Sequence, residues 1–432
     1  MSKTYCSFLW NHQYIHPNGK FKFCCATNDT IPDNKGNDTH INNTSFEQVW
    51  NNDHMKETRL KMIRGENIPA CAKCVLQESK GYGSMRTTIN KEKFIASTND
   101  DGSVDSKPTS LELHFGNLCN LKCKMCSQAY SNQIGKELLE IGKEDPEWLN
   151  WVRSQSGNVN NWTNNLSVEY KWFRNPKVAR KVYDWVSVNI KRMSVLGGEP
   201  TVIKEFWDMI EYCYNEGTLK DKEITVVTNL TNVNANVKKW LGDCKHFTIW
   251  ASVDGIGDRT EYIRYPSNWV QLVKNLKTYK NIINEYGNGT LIFSPAVQML
   301  NIDQLDELLL WFFEFSDGEW NQKYNLSWMS QVTYPKMLDY NYAPVDYKLR
   351  IADKLESSLE KINTYQPKDR FFEYYTGHIK NLREDKIDPE SKKLMLNNFV
   401  RYNDRQDQFR GKKTWRSLVP ELESSILKYL KK

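Results

Sequence analysis

From residue 110 onward the chain alternates between two hydrophobic periods, and that rhythm restricts the fold more than any other feature. Six runs rich in β-branched and aromatic residues read as strands: 110–116 (SLELHFG), 192–196 (RMSVL), 223–229 (EITVVTN), 246–254 (HFTIWASVD), 290–299 (TLIFSPAVQM) and 325–333 (NLSWMSQVT). Between them lie stretches such as VARKVYDWVSVNI, NWVQLVKNLKTYKNII and DQLDELLLWFFEF, whose apolar residues recur three and four apart, as on one face of a helix. Strands that alternate with helices imply an α/β fold with a parallel sheet and right-handed crossovers, here a partial (β/α)6 TIM-like barrel over residues 109–334. In such a sheet chemistry belongs at the carboxyl ends of the strands.

The remaining chain divides around this repeat. Residues 1–96 read as a small separate domain: GKFKFCCA suggests a hairpin strand after a Gly turn, and SFEQVWNNDHMKETRLKMI suggests a helix opened by a Ser cap. The polar stretch 97–108 reads as a linker, and residues 335–432 as a helical, charged region with no catalytic motif. Residues 127–175 interrupt the alternation, and Trp148, Trp151, Trp162 and Trp172 within them either line a pocket or lid or form the aromatic core of an inserted subdomain.

At 432 residues and 39% hydrophobic the chain is long enough for a large core, and its net charge of +6 is small and dispersed, which argues against charge-driven nucleic-acid binding. No apolar run approaches the roughly 20 residues of a membrane helix, and the N-terminus lacks a signal-peptide pattern, so a cytoplasmic location is expected. A reducing compartment makes close-spaced cysteines metal ligands rather than disulfide partners. Seven of the ten cysteines are grouped: Cys24 with Cys25, Cys71 with Cys74, and Cys119, Cys123 and Cys126 in GNLCNLKCKMCSQ. Cys6, Cys213 and Cys244 stand apart, the last two as core thiols.

Three thiolates in one loop directly after the first strand leave one position open on a [4Fe-4S] cluster that normally takes one Cys per iron; a zinc site lacking a ligand is the plainer alternative. This CxxxCxxC loop resembles that of the radical S-adenosylmethionine (SAM) superfamily. The resemblance implies that Cys119, Cys123 and Cys126 hold a [4Fe-4S] cluster whose open iron chelates SAM, which is then cleaved to a 5'-deoxyadenosyl radical. Members often have an aromatic residue before the third Cys, where this chain has Met125.

Further pieces follow in the superfamily's order. LGGEP, with Gly197, Gly198, Glu199 and Pro200, resembles the GGEP motif that holds the SAM amino group. Asn229 at the end of VVTNL, Ser252 and Asp254 in ASVDG, and Arg264 twelve residues after Ser252 are similar to cofactor-binding positions of peptide-modifying members, and Gln298 is a further pocket-facing polar candidate. An Arg fork suits a carboxylate such as that of SAM.

In the N-terminal segment, Cys6, Cys24, Cys71 and Cys74 make a complete thiolate cage for either zinc or a second cluster. Cys6, a gap of twelve residues, Gly19, four residues and Cys24 resembles the opening pattern of SPASM and twitch domains, here preceding the barrel, and this resemblance implies one auxiliary [4Fe-4S] cluster. The Gly spacing favours Cys24 over Cys25. His12, His16 and His114 are nearby candidates for proton transfer or ligation, against the commoner structural role.

Together these features imply a radical SAM oxidoreductase or maturase acting on a peptide or small molecule, supplied by a flavodoxin- or ferredoxin-like electron donor. The alternatives are an iron-sulfur or zinc protein that relays electrons without cleaving SAM, and a radical SAM enzyme acting on nucleic acid.

Overall fold

The computed structural model describes residues 4–79, 83–92, 97–155, 165–317, 323–327, 329–364, 370–411 and 413–431. Its strands are β1 (His12–Ile15), β2 (Phe21–Lys22), β3 (Ser110–Phe115), β4 (Arg192–Gly197), β5 (Glu223–Thr228), β6 (His246–Ala251), β7 (Gly289–Phe293), β8 (Ala296–Val297), β9 (Tyr324–Leu326) and β10 (Ser330–Gln331). Eight of them form one mostly parallel sheet in the order β2-β1-β3-β4-β5-β6-β7-β9, and β8 pairs with β10 separately.

All six expected strand positions are occupied, but the last two are each divided. Pro295 has no N–H to donate to a ladder, so β7 stops at Phe293 and the chain restarts at Ala296. The second expected strand divides in parallel, β9 pairing with β7 and β10 with β8. The expected N-terminal helix also divides: Ser45 caps Phe46–Trp50, and Asn52, whose side chain accepts from Met55 N–H, caps a second helix over Asp53–Arg64.

The chain forms two compact units. The first comprises residues 1–118, 169–227 and 235–247, and contains β1 to β5 up to Val227. There the N-terminal segment extends the sheet: β1 lies parallel to β3, and the β1–β2 hairpin forms the edge. The registers Tyr14↔Glu112↔Ser194↔Thr225 and His12↔Ser110↔Arg192↔Glu223 define one polar sheet face. The opposite face carries Leu111, Leu113, Phe115, Met193, Val195, Ile224 and Val226, all buried. Phe115 meets Phe206 of the helix Lys204–Asn215 and stacks on Trp172. Parallel sheets covered on both faces read as continuous apolar runs; the alternation here leaves one face covered by helices and the other polar and largely half-buried.

The second unit comprises residues 119–168, 228–234 and 248–432. Ser131 caps the helix Asn132–Glu144, which buries Ile134, Leu138 and Ile141 at helical spacing, and the helix Pro146–Ser154 follows. Trp148 in that second helix stacks on Tyr402 of the long helix Pro389–Arg410, and its indole N–H donates to the Arg401 carbonyl at 3.3 Å. The expected aromatic group of residues 127–175 is therefore not a single cluster: Trp148 belongs to this unit and Trp172 packs on Phe115 in the first, because each is recruited by the nearest large apolar surface. Trp162 lies outside the described residues. Among the described residues no helix is long and apolar enough to cross a membrane.

Candidate metal centres

In the first unit, Cys6, Cys24, Cys71 and Cys74 line one pocket together with Phe8, Leu9, Phe23, Ala70, Met85 and Arg86 among others. Three local structures bring them there. Cys6 precedes a short helix (Phe8–Asn11), Cys24 follows β2, and Cys71 and Cys74 sit on consecutive turns of Pro69–Cys71 and Ala72–Ser79. Gly19 makes the hairpin turn at φ +84°, where a side chain would be strained and a Cβ would lie 2.7 Å from the His40 ring.

Burial in this apolar wall pushes the thiols of Cys6 and Cys24 up to about 12 and that of Cys71 up to about 11, and the neighbouring thiols add to the effect. Cys24 lines this pocket with the other three thiols, whereas its neighbour Cys25 is exposed and is not among the lining residues. Among the described residues no three His, Cys, Asp or Glu side chains group closely enough for a single metal ion. A donor set of four soft sulfurs in a largely apolar lining fits an iron-sulfur cluster, and the same ligand chemistry also suits zinc.

The histidines near this region have structural partners. His12 shares a hydrogen bond with Ser110 Oγ at 2.9 Å and stacks on Phe8, and burial draws it down to about 4. His16 pairs with Asn18 in the hairpin turn, and burial draws it down to about 3. His114 pairs with Glu112 at 3.1 Å.

Also in the first unit, Gly197 and Gly198 close β4 against the segment leaving β3. Gly198 N–H donates to the Gly116 carbonyl and Glu199 N–H to the Leu118 carbonyl, at 3.1 and 2.8 Å. A Cβ on Gly198 would stand 1.9 Å from the Leu118 oxygen, so only glycine permits this approach. Buried Glu199 accepts from the Thr201 N–H and hydroxyl through Oε1, capping the turn that Pro200 begins. Part of the carboxylate expected to meet an amino group is thus committed to this turn.

The triad lies in the second unit. Cys119 Sγ accepts from Leu121 N–H at 3.4 Å and lies 3.9 Å from Asn229 Nδ2, and Cys126 N–H bonds the Cys123 carbonyl. Burial raises Cys126 well above the usual thiol range, with Cys123 and Cys119 adding to it, so the three sulfurs sense one another. Lys122 and Lys124 N–H groups bond the carbonyls of Tyr265 and Ile263 at 2.6 and 2.9 Å, which delivers Arg264 beside the loop. Its guanidinium pairs with fully buried Asp254 at 2.7 Å, and its charge acts to lower the Cys123 thiol against burial.

The structure therefore brings Cys119, Cys123, Cys126, Asn229, Asp254 and Arg264 together. Ser252 is half-buried just beyond β6, its N–H bonded to the Thr228 carbonyl. Gln298 is fully buried with neither side-chain amide atom hydrogen-bonded among the described residues, and its N–H is tied through Asn301 to the Asp254 carbonyl. An unmade buried hydrogen bond costs about 1–3 kcal/mol, which a bound polar molecule would relieve.

A second set of residues holds the triad loop from far along the chain. Lys124, between the second and third cysteines, is fully buried, lies over the Tyr262 ring and pairs with Asp407 at 3.2 Å. Burial draws it down to about 7 although Asp407 opposes this. Arg410 pairs with buried Glu137 at 2.7 Å and donates to the Lys122 carbonyl at 2.9 Å. No local pattern singles out Asp407 or Arg410, since their partners are more than 250 residues away.

Residues 6–75 match the SPASM family, described as an iron-sulfur cluster-binding domain. The matched segment contains all four cage cysteines. No curated protein matches the chain. Among solved structures, the chain is similar to Streptococcus suis SuiB bound to S-adenosylmethionine, at 15% identity over 72% of this chain and 63% of that one, with a TM-score of 0.32. SuiB bound to precursor peptide SuiA matches at 13% identity over 82% and 64%, with a TM-score of 0.29. Native anSMEcpe with bound AdoMet matches at 16% identity over 71% and 64%, with a TM-score of 0.33. The chain thus spans less than two thirds of the length of each of these structures.

Proposed function

We propose that the chain is a radical SAM enzyme with one auxiliary cluster, acting on a peptide or small-molecule substrate. The observation that carries this reading is the pairing of an incomplete, polar thiolate triad with a complete, apolar thiolate cage. When bound at Cys119, Cys123 and Cys126, a [4Fe-4S] cluster would supply the electron that cleaves SAM to methionine and a hydrogen-abstracting 5'-deoxyadenosyl radical.

This chain's residues have defined tasks around that chemistry. Cys119, Cys123 and Cys126 would hold a cluster with three thiolates, which would leave a position for the polar groups of SAM. Arg264, held by Asp254, offers a fork suited to the carboxylate. Gln298 has unused donors and acceptors for a polar ligand. Asn229 keeps an N–H near Cys119 Sγ, which stabilises negative charge on sulfur. The glycines of LGGEP let the backbone leaving β4 approach the segment leaving β3 more closely than any side chain would permit.

The cage offers one thiolate to each iron of an auxiliary [4Fe-4S] cluster, which suits electron relay rather than direct ligation of substrate. The polar sheet face fits the interior wall of a partial barrel over residues 109–334, with an auxiliary domain over 1–96 and a helical region over 335–432. A flavodoxin- or ferredoxin-like protein would supply electrons.

The test is anaerobic reconstitution with iron and sulfide followed by reductant and SAM. Release of 5'-deoxyadenosine that disappears in C119A, C123A or C126A supports the reading. No release from wild type under several reductants counts against it and favours an electron-relay protein.

A further inference from the structure

Next to the four-thiol cavity lies a charge pair that cluster ligation does not require. Arg86 lines the cavity, and its guanidinium is close enough to Cys6 and Cys71 to favour their thiolates. Its side chain is 8% exposed, whereas that of its partner Glu78 is 24% exposed and does not line the cavity. The pair is two-pronged: Nε donates to Oε1 at 3.1 Å and Nη2 to Oε2. Glu78 rides on the helix that carries Cys74, and Arg86 on the following helix, Met85–Ile89, capped by Ser84, whose hydroxyl also donates to Glu78. The result is a fixed dipole with its positive end toward the sulfurs and its negative end toward solvent.

We infer that the Arg86–Glu78 pair sets the reduction potential of the auxiliary cluster, with Arg86 stabilising the reduced state and Glu78 partly offsetting it. This rests on the reading of Cys6, Cys24, Cys71 and Cys74 as cluster ligands. A cluster held by four thiolates is an anion, and each added electron deepens its charge. A cation held against it in an apolar, poorly screened wall therefore favours the reduced state, and a more distant carboxylate opposes it. Arg86 lies beyond the matched segment 6–75 and is not a ligand, so its contribution is one of charge. A purely structural staple would behave differently, because removing either half would loosen the same two helices.

The experiment uses the full-length chain carrying C119A, C123A and C126A, so that only the auxiliary cluster remains, in a redox titration followed by electron paramagnetic resonance. Arg86→Gln is expected to lower the reduced-to-oxidised ratio at fixed potential by about tenfold, a shift of about 59 mV to more negative values. Glu78→Gln is expected to move the ratio the opposite way, and Arg86→Lys to stay near the parent. Shifts of the same sign in Arg86→Gln and Glu78→Gln, or no shift in either, overturn the inference while leaving the cluster assignment intact. If Arg86→Gln does not assemble a cluster, Glu78→Gln alone decides: a positive shift supports the inference, and a negative or absent one overturns it. A parent protein that binds no iron at this site removes the cluster assignment and the inference together.

Discussion

The two cysteine groups use the same ligand atom in opposite surroundings. The cage of Cys6, Cys24, Cys71 and Cys74 is complete and set in a largely apolar wall with one adjacent guanidinium. The triad of Cys119, Cys123 and Cys126, in the proposed reading one ligand short of a cluster, is bordered by buried ion pairs, Arg264 with Asp254, Lys124 with Asp407 and Arg410 with Glu137. A complete apolar cage isolates a redox centre from reactants. An incomplete set beside buried charge can accept a polar, zwitterionic ligand at low desolvation cost. Ligand number and surrounding polarity together, rather than cysteine spacing alone, distinguish a relay from a reaction centre.

The largest effect should come from removing either group. Wild-type reconstituted protein should hold about eight irons per chain, and C71A with C74A should retain about half, as should the triple triad variant. A zinc content near one per chain in the cage would break the comparison. Both halves would then differ in metal as well as environment.

A smaller effect should follow from cutting the brace of the triad. Asp407→Asn removes the carboxylate that favours the charged form of buried Lys124 and accepts from the Tyr262 hydroxyl, at a cost of about 1–3 kcal/mol. Iron at the triad should fall while cage iron is retained, as read by iron content in the C71A, C74A background and in the triad-free background. Equal loss at both sites would show that the long C-terminal helix acts on general stability instead.

Acid should affect both regions. His12 in the first unit and His378 in the second are both drawn down to about 4 by burial. The unfolded chain takes up these protons near pH 6.5 and the folded chain only near pH 4. Each histidine's contribution is thus complete above about pH 6.5 and lost as pH falls toward 4, by up to about 3 kcal/mol. His378→Gln, which keeps the polar contact to the Met329 carbonyl, should flatten the denaturant midpoint over that range. An unchanged pH slope would exclude His378 as a source.

The parts of this structure legible in the sequence are those encoded locally. Strand positions follow from alternation because one face of the sheet stays polar, so Glu112 and His114 interleave with Leu111, Leu113 and Phe115. The cysteine groups stand out because few other reasons place thiols so close together. What is not legible depends on long-range packing. The pairing of β1 with β3 joins residues nearly 100 apart, and nothing in HQYI marks it as a parallel partner rather than half of an isolated hairpin. Asp407 and Arg410 look like ordinary charges of an exposed helix until Lys124 and Glu137 are found against them. Arg86 is equally silent, since its partner Glu78 and the thiols it faces lie on separate helices and turns.

The most direct measurement crosses the two groups with SAM cleavage. Full-length protein, reconstituted and reduced without added substrate, should release 5'-deoxyadenosine in wild type and in C71A with C74A, and release none in the triple variant of Cys119, Cys123 and Cys126. Cleavage that survives loss of the triad, or that depends on the cage alone, would contradict the assignment of the triad as the reaction centre.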